Sequence, residues 1–192
     1  MTKTPTPTPV EHALLAERVR LHRGVLASSM ASSAIVGIGI VVVLWGSTDH
    51  ALSLFWLAFL RVTLVGRMAV GWAHRRASGG DDMPAIWLWR YRAGFAVHGL
   101  VWLLAGVLFL PDAEPQRFNL IALALIAMPA GSLIMTSFDV VAALVFGGPV
   151  LAGLVAHLLV RGVGDALGLL FVMAVLFAAA LIGAVRTQRM VR

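Results

Sequence analysis

Arg117 to Val160 reads RFNLIALALIAMPAGSLIMTSFDVVAALVFGGPVLAGLVAHLLV, two apolar runs joined by a turn that holds one ionisable residue, Asp139. Each run is roughly the 20 residues that a helix needs to cross the hydrocarbon core of a bilayer. Each is also interrupted near its middle, by Pro129-Ala130-Gly131 in the first and Gly147-Gly148-Pro149 in the second. Proline removes a helical hydrogen bond and crowds the preceding turn. In lipid the freed carbonyls must find partners within the protein or line a cavity. Two adjacent helices broken at similar depth therefore point to an internal site or hinge. The plain alternative is that proline and glycine are frequent in membrane helices with no binding role.

Outward from this stretch the whole chain has the same character. Of its 192 residues, 60% are hydrophobic and 12% charged, and the mean hydropathy is +0.91. A soluble domain of this size could not hide so much apolar surface. The expected fold is all-α: a polytopic membrane protein of six transmembrane helices preceded by a short cytoplasmic amphipathic helix. The spans are placed at 26–46, 52–73, 92–111, 117–137, 140–160 and 166–186. Residues 1–9, rich in alternating Thr and Pro, form an extended disordered tail. Residues 10–192 form one membrane domain. Thr8-Pro9-Val10-Glu11 has the pattern of a capping box with proline at the first helical position. The helix after it carries Leu15, Val19 and Leu26 on one stripe and Arg18, Arg20 and Arg23 around the rest, which suits a helix lying on the membrane surface. The polar lead of over 20 residues before the first apolar run argues against a cleavable signal peptide.

The net charge of +6 would suggest nucleic acid in a soluble protein. Here the arginines sit at the ends of apolar runs, where they report orientation and contact with anionic lipid, and no nucleic acid is implied. With the amino terminus inside, eleven of the fifteen Lys and Arg residues fall on cytoplasmic segments, two outside and two within a helix. Both ends are therefore expected in the cytoplasm, in a bacterial inner membrane. Cysteine is absent, which excludes disulfides, thiolate metal sites and cysteine nucleophiles.

The two arginines within a helix are Arg61 and Arg67. Arg61 falls near the midplane, where a charge is costly unless it faces the bundle or water. Level with it, by 1.5 Å per residue, come Pro129 and Pro149. Arg61, Pro129, Gly131, Gly148 and Pro149 thus form a candidate site for the acid group of an amphiphile, with kink carbonyls satisfying Arg61 as the ligand-free alternative. Arg67 lies nearer the cytoplasm and is expected to form a structural ion pair with Asp139. Ser28, Ser29, Ser32 and Ser33 suit close helix packing. His98 and His157 lie on opposite sides of the midplane, so neither haem nor metal nor any other cofactor is implied. Scattered methionines read as apolar filler rather than copper ligands. Gly79-Gly80-Asp81-Asp82 resembles the start of a GGDEF signature but sits in a loop with no room for a nucleotide-binding domain. Gly131-Ser132 lacks the spacing of an intramembrane serine protease, and His98 alone is a candidate histidine at the level of Ser132. No catalytic residue is identified.

Several short motifs together resemble the six-helix amino-terminal membrane sensor regions of bacterial diguanylate cyclases with GGDEF output and of hybrid histidine kinases. These are Glu17-Arg18-Val19-Arg20, the Arg61–Arg67 pair, Trp89-Arg90-Tyr91-Arg92 through Gly99-Leu100-Val101-Trp102, and Ala130-Gly131 through Ser137 and Phe146 to Pro149. The resemblance implies a homodimeric sensor that passes a membrane-side signal to an output domain, which would lie beyond Arg192. It also implies that a lipidic or small anionic ligand is conceivable, since some related kinases perceive fatty-acid-like signals. The competing reading is a small six-helix transporter or channel subunit, which paired helix breaks and a midplane arginine would also suit.

Overall fold

The computed structural model describes residues 8–77, 83–110 and 115–161, and scattered residues between 168 and 186. Residues 1–7 of the expected tail, Gly79 to Asp82, Arg189 and Arg192, and part of the sixth expected span lie outside the described residues, while Thr8 and Pro9 of that tail cap and begin the first helix. Five helices follow in order: α1 (Pro9–Leu44), α2 (His50–Arg76), α3 (Pro84–Leu108), α4 (Pro115–Met135) and α5 (Val140–Arg161). All five are long and apolar enough to cross a membrane. Residues described between 168 and 186 are also helical, and Phe177 and Leu181 pack against Leu133 and Ala143.

Polar caps start the first two helices. The Thr8 hydroxyl accepts from the Glu11 backbone N–H at 3.3 Å, while the Glu11 carboxylate accepts from the Thr8 N–H at 2.8 Å. This is the expected capping box, with Pro9 in the first turn. Asp49 caps α2 by accepting from the Ala51 N–H at 2.7 Å, and His74, Arg75 and Arg76 occupy its last turn, where positive charge complements the helix dipole.

The expected surface helix is not a separate element. It runs unbroken into the first span as α1, 36 residues long. Val19, His22, Leu26, Ser33, Gly37 and Ile40 are buried along it, at spacings of three, four and seven that hold one helical face against the bundle. The amino-terminal half is covered by Trp87, Leu88 and Tyr91 of α3, so it packs on protein instead of turning to lie on the membrane.

The helices expected to break also continue. Helices α4 and α5 pass through Pro129 and Pro149 without interruption, since the loss of one hydrogen bond can be absorbed by the rest of the ladder and by packing. Gly147 makes room for the Pro129 ring: a Cβ there would stand 3.0 Å from the proline Cβ. The two interruptions do meet, but as a packing contact.

Helix α3 is the centre of the bundle, packing on α5 and against α1 and α2. Gly99 and Gly106, two turns apart, permit the close approach to α5. A Cβ at Gly99 would lie 2.5 Å from the Phe146 carbonyl oxygen, and one at Gly153 equally close to that of Leu103. Trp56, Trp102 and Phe109 are fully buried between the helices, and Trp56 meets both other rings edge to face. The outer surface is the reverse of a soluble protein's: Phe55, Val62, Val65, Leu123, Ile134 and Leu159 are exposed. Such a surface needs lipid as its solvent, which makes this a multi-pass membrane protein.

Candidate functional site

Asp139 lies in the tight turn between α4 and α5, its N–H donating to the Thr136 carbonyl at 2.7 Å. The side chain is buried. Two residues distant in sequence reach it. His22 of α1 places Nε2 2.9 Å from Oδ2. Arg92 of α3 donates from Nε to Oδ2 at 2.9 Å and from Nη2 to Oδ1 at 2.7 Å, the bidentate geometry that suits guanidinium and carboxylate. An ionised carboxylate can only accept, so His22 Nε2 carries the donated proton. The His22 ring stacks on Tyr91 and meets Phe138 edge-on. Burial alone would raise the Asp139 carboxyl, but the hydrogen bonds from His22 and Arg92 and the guanidinium charge outweigh it and hold the group below the usual carboxylate range.

This arrangement corrects the expected Arg67–Asp139 ion pair. Arg67 is buried too, but its guanidinium lies 4.2 Å over the Phe95 ring and donates to the Ser29 hydroxyl at 3.3 Å. Ser29 stands seven residues along α1 from His22, about 10 Å at helical rise, so Arg67 reaches a deeper layer than the turn that holds Asp139. His22 was given no role from the sequence. Its place on the Leu15–Val19–Leu26 stripe was the available signal that it is buried.

A second polar layer lies deeper. His98 Nδ1 is 3.1 Å from the Thr63 hydroxyl and Nε2 is 2.7 Å from the Ser33 hydroxyl. The Trp102 indole N–H is 3.1 Å from the Ser33 oxygen and 3.2 Å from His98 Nε2. Thr63 donates its own hydrogen to the Leu60 carbonyl at 2.8 Å, so its oxygen accepts from His98 Nδ1–H, and the Nε2 lone pair accepts from the Ser33 hydroxyl, whose oxygen accepts the Trp102 N–H. Every partner of the ring is thereby accounted for, and α1, α2 and α3 are tied at one level.

Two concavities flank α1 on different faces. Between α1 and α4 a cavity of about 260 Å³ is lined by Ser29, Ser32, Ser33, His98, Gly131 and Ser132 among others, and the buried Ser132 hydroxyl has no hydrogen-bond partner among the described residues. Between α1 and α2 a groove of about 800 Å³ is lined by Arg23, Arg61 and Arg75 together with Ala31, Met68 and Trp72. The expected five-residue site is therefore not assembled. Arg61 lines the groove and Gly131 the cavity, Pro129 is packed against Gly147, and Gly148 is exposed with open space at its Cα while Pro149 is half-buried. The shared depth was inferred from residue counts, and counts along a helix say nothing of the direction in which a side chain faces. Among the described residues no three His, Asp or Glu side chains gather as a metal site would require.

No family model, curated protein or solved structure matches the chain. The resemblance to bacterial sensor regions rests on its motifs alone. Those in α3 fall at structurally demanding positions: Arg92 holds Asp139, Gly99 permits the α5 contact, and Trp102 belongs to the His98 layer.

Proposed function

We propose that the chain is the membrane input module of a bacterial signalling protein, which takes up an anionic amphiphile at Arg61 and relays the event to its basic end. The observation that carries this reading is the continuity of α1. One unbroken helix supplies a wall of the groove that holds Arg61, through Leu26, Ala27 and Ala31, and inserts His22 into the Asp139–Arg92 pair. A ligand that displaces the groove wall acts on the same rigid element that completes the buried ion pair. The basic end, with Arg18, Arg20, Arg23, Arg75, Arg76, Arg90 and Arg92, is the cytoplasmic face in this reading.

The test is hydrogen exchange on the full chain in lipid nanodiscs, with and without a long-chain fatty acid. Exchange in the Thr136–Val140 turn and around His22 is expected to change several-fold on addition of the acid, and to stay constant in a folded Arg61→Gln variant. Fatty-acid binding without any change at the turn would overturn the relay. Equal binding by the Arg61→Gln variant would overturn the assignment of the acid group.

A further inference from the structure

The basic end of the α1–α2 groove has features that the Arg61 reading does not use. Gly71 of α2 abuts Leu26 of α1, and Gly37 of α1 abuts Leu60 of α2. The two helices are thus antiparallel, in a register that sets Arg23 level with His74 and Arg75. Arg23 and Arg75 are both exposed, both line the groove, and neither is ion-paired with any described residue. Their neighbour Arg20, by contrast, is already held by Glu17 at 2.6 Å. Among the described residues no acidic side chain lines the groove. Trp72, half exposed on the same wall, lies at the depth where tryptophan favours the membrane–water boundary, and the Arg76 guanidinium stacks on it at 3.8 Å.

Above the arginine pair the walls are apolar and partly of small residues: Ala27, Ala31, Ala34 and Ala69 leave a trough that Met30 and Met68 edge. A cationic pair at the interface, opening into an apolar trough, is complementary to a molecule with an anionic head and a hydrocarbon tail. A free phosphate would satisfy the pair and leave the trough unexplained. We infer that this end of the groove is a specific site for an anionic phospholipid, whose headgroup phosphate is held by Arg23 and Arg75 and whose acyl chain lies along Ala27, Ala31 and Met68. Anionic lipids of the leaflet at a basic face supply such a ligand, and the volume is that of an ordinary ligand cleft. Arg61 stands 14 residues from Arg75, about 21 Å along α2. That exceeds half the thickness of a bilayer core of about 30 Å, so the headgroup held by Arg23 and Arg75 and the acid group placed at Arg61 lie in different layers of one groove, and the assignment of the headgroup does not rest on Arg61.

The experiment is lipid retention by the purified full chain, read by native mass spectrometry after equilibration with vesicles of phosphatidylglycerol and phosphatidylcholine in equal parts. Phosphatidylglycerol is expected to be retained at least tenfold over phosphatidylcholine. The preference should fall to within twofold in Arg23→Gln/Arg75→Gln, survive in Arg23→Lys/Arg75→Lys, and stay above twofold in Arg61→Gln, which leaves both headgroup arginines in place. The Lys pair keeps the charge and loses the guanidinium, so its survival assigns the preference to charge, and an unaltered melting temperature of the Gln pair shows that its loss is not misfolding. Equal retention of the two lipids would mean annular lipid only and would overturn the site. So would an equal loss in Arg18→Gln/Arg90→Gln, which removes two positive charges from the same face outside the groove. Displacement of the lipid by millimolar inorganic phosphate would assign the pair to a free anion instead.

Discussion

Asp139 is a point of convergence in the molecule, because side chains from two separate helices, His22 of α1 and Arg92 of α3, meet on its one carboxylate. Removing one partner of a buried pair typically costs about 3–5 kcal/mol, since the other charge stays desolvated. Asp139→Asn is expected to lower thermal stability by an amount in that range. Arg92→Gln should cost at least as much, because it leaves a carboxylate that is 1% exposed with His22 alone, whereas Asp139→Asn leaves an arginine side chain that is 23% exposed and keeps access to water. In a double-mutant cycle Asp139 should couple strongly to Arg92 and far more weakly to Arg67. A coupling of equal size to Arg67 would contradict the geometry. The same site fixes a pH dependence. A folded-state carboxyl held below its unfolded value of about 3.9 contributes stability that is complete above that value and is lost as pH falls through the folded one. Facing groups are His22 from α1 and Arg92 from α3. The melting temperature of the purified chain should therefore drop as pH falls below about 4, and Asp139→Asn should lose that part of the acid limb. That a lone carboxylate in a hydrophobic stretch would be paired was legible in the sequence. Its partner was not, because the choice among Arg67, Arg92 and His22 depends on which side chains face the turn.

At the scale of the elements, glycines separate into those that the packing requires and those that it does not. Gly153 lies against the Leu103 backbone, so Gly153→Ala should push α3 and α5 apart and lower the melting temperature, with Gly99→Ala acting likewise through Phe146. Gly148 has no atom within 4 Å of an added Cβ, and Gly148→Ala should be neutral or stabilising by up to about 1 kcal/mol, the usual difference in helix propensity. Thermal melts of the three variants in one detergent decide this. Composition and run length located five spans, some better than others: the second, placed at 52–73, is helical over His50–Arg76, whereas the third, placed at 92–111, runs over Pro84–Leu108. The proline and glycine interruptions misled, because their effect on a helix is set by what packs around them. Gly147 receives Pro129, and this complementarity between two helices cannot be read from either run alone. The join of the amphipathic segment to the first span was equally hidden, since no residue between Leu21 and Leu26 signals either a stop or a continuation strongly.

For the whole molecule, the position of the basic end gives a direct measurement of orientation. The chain has no cysteine, so single cysteine reporters can be read without background. Ser47, between α1 and α2, and Ala77, just after α2, lie at opposite ends of the bundle. Ser47→Cys should react with an impermeant thiol reagent on intact cells, and Ala77→Cys only after permeabilisation. The reverse result would place the basic end outside. Membrane class and the charge asymmetry were legible at the level of composition, while the two concavities were not, because each is made by residues from two helices whose facing depends on the assembled bundle.

The length of α1 has a mechanical consequence. At 1.5 Å per residue its 36 residues make a rod of about 54 Å, against a hydrocarbon core of about 30 Å. Ser33, bound to His98 and Trp102, is the natural fulcrum. His22 is then about 16 Å from the pivot and Pro9 about 36 Å, a lever ratio of roughly two. A tilt that shifts His22 by about 1 Å, enough to stretch its hydrogen bond to Asp139, carries the start of the helix through about 2 Å. The buried ion pair therefore sits at the short arm, where a small displacement breaks it, and the free end of α1 travels furthest.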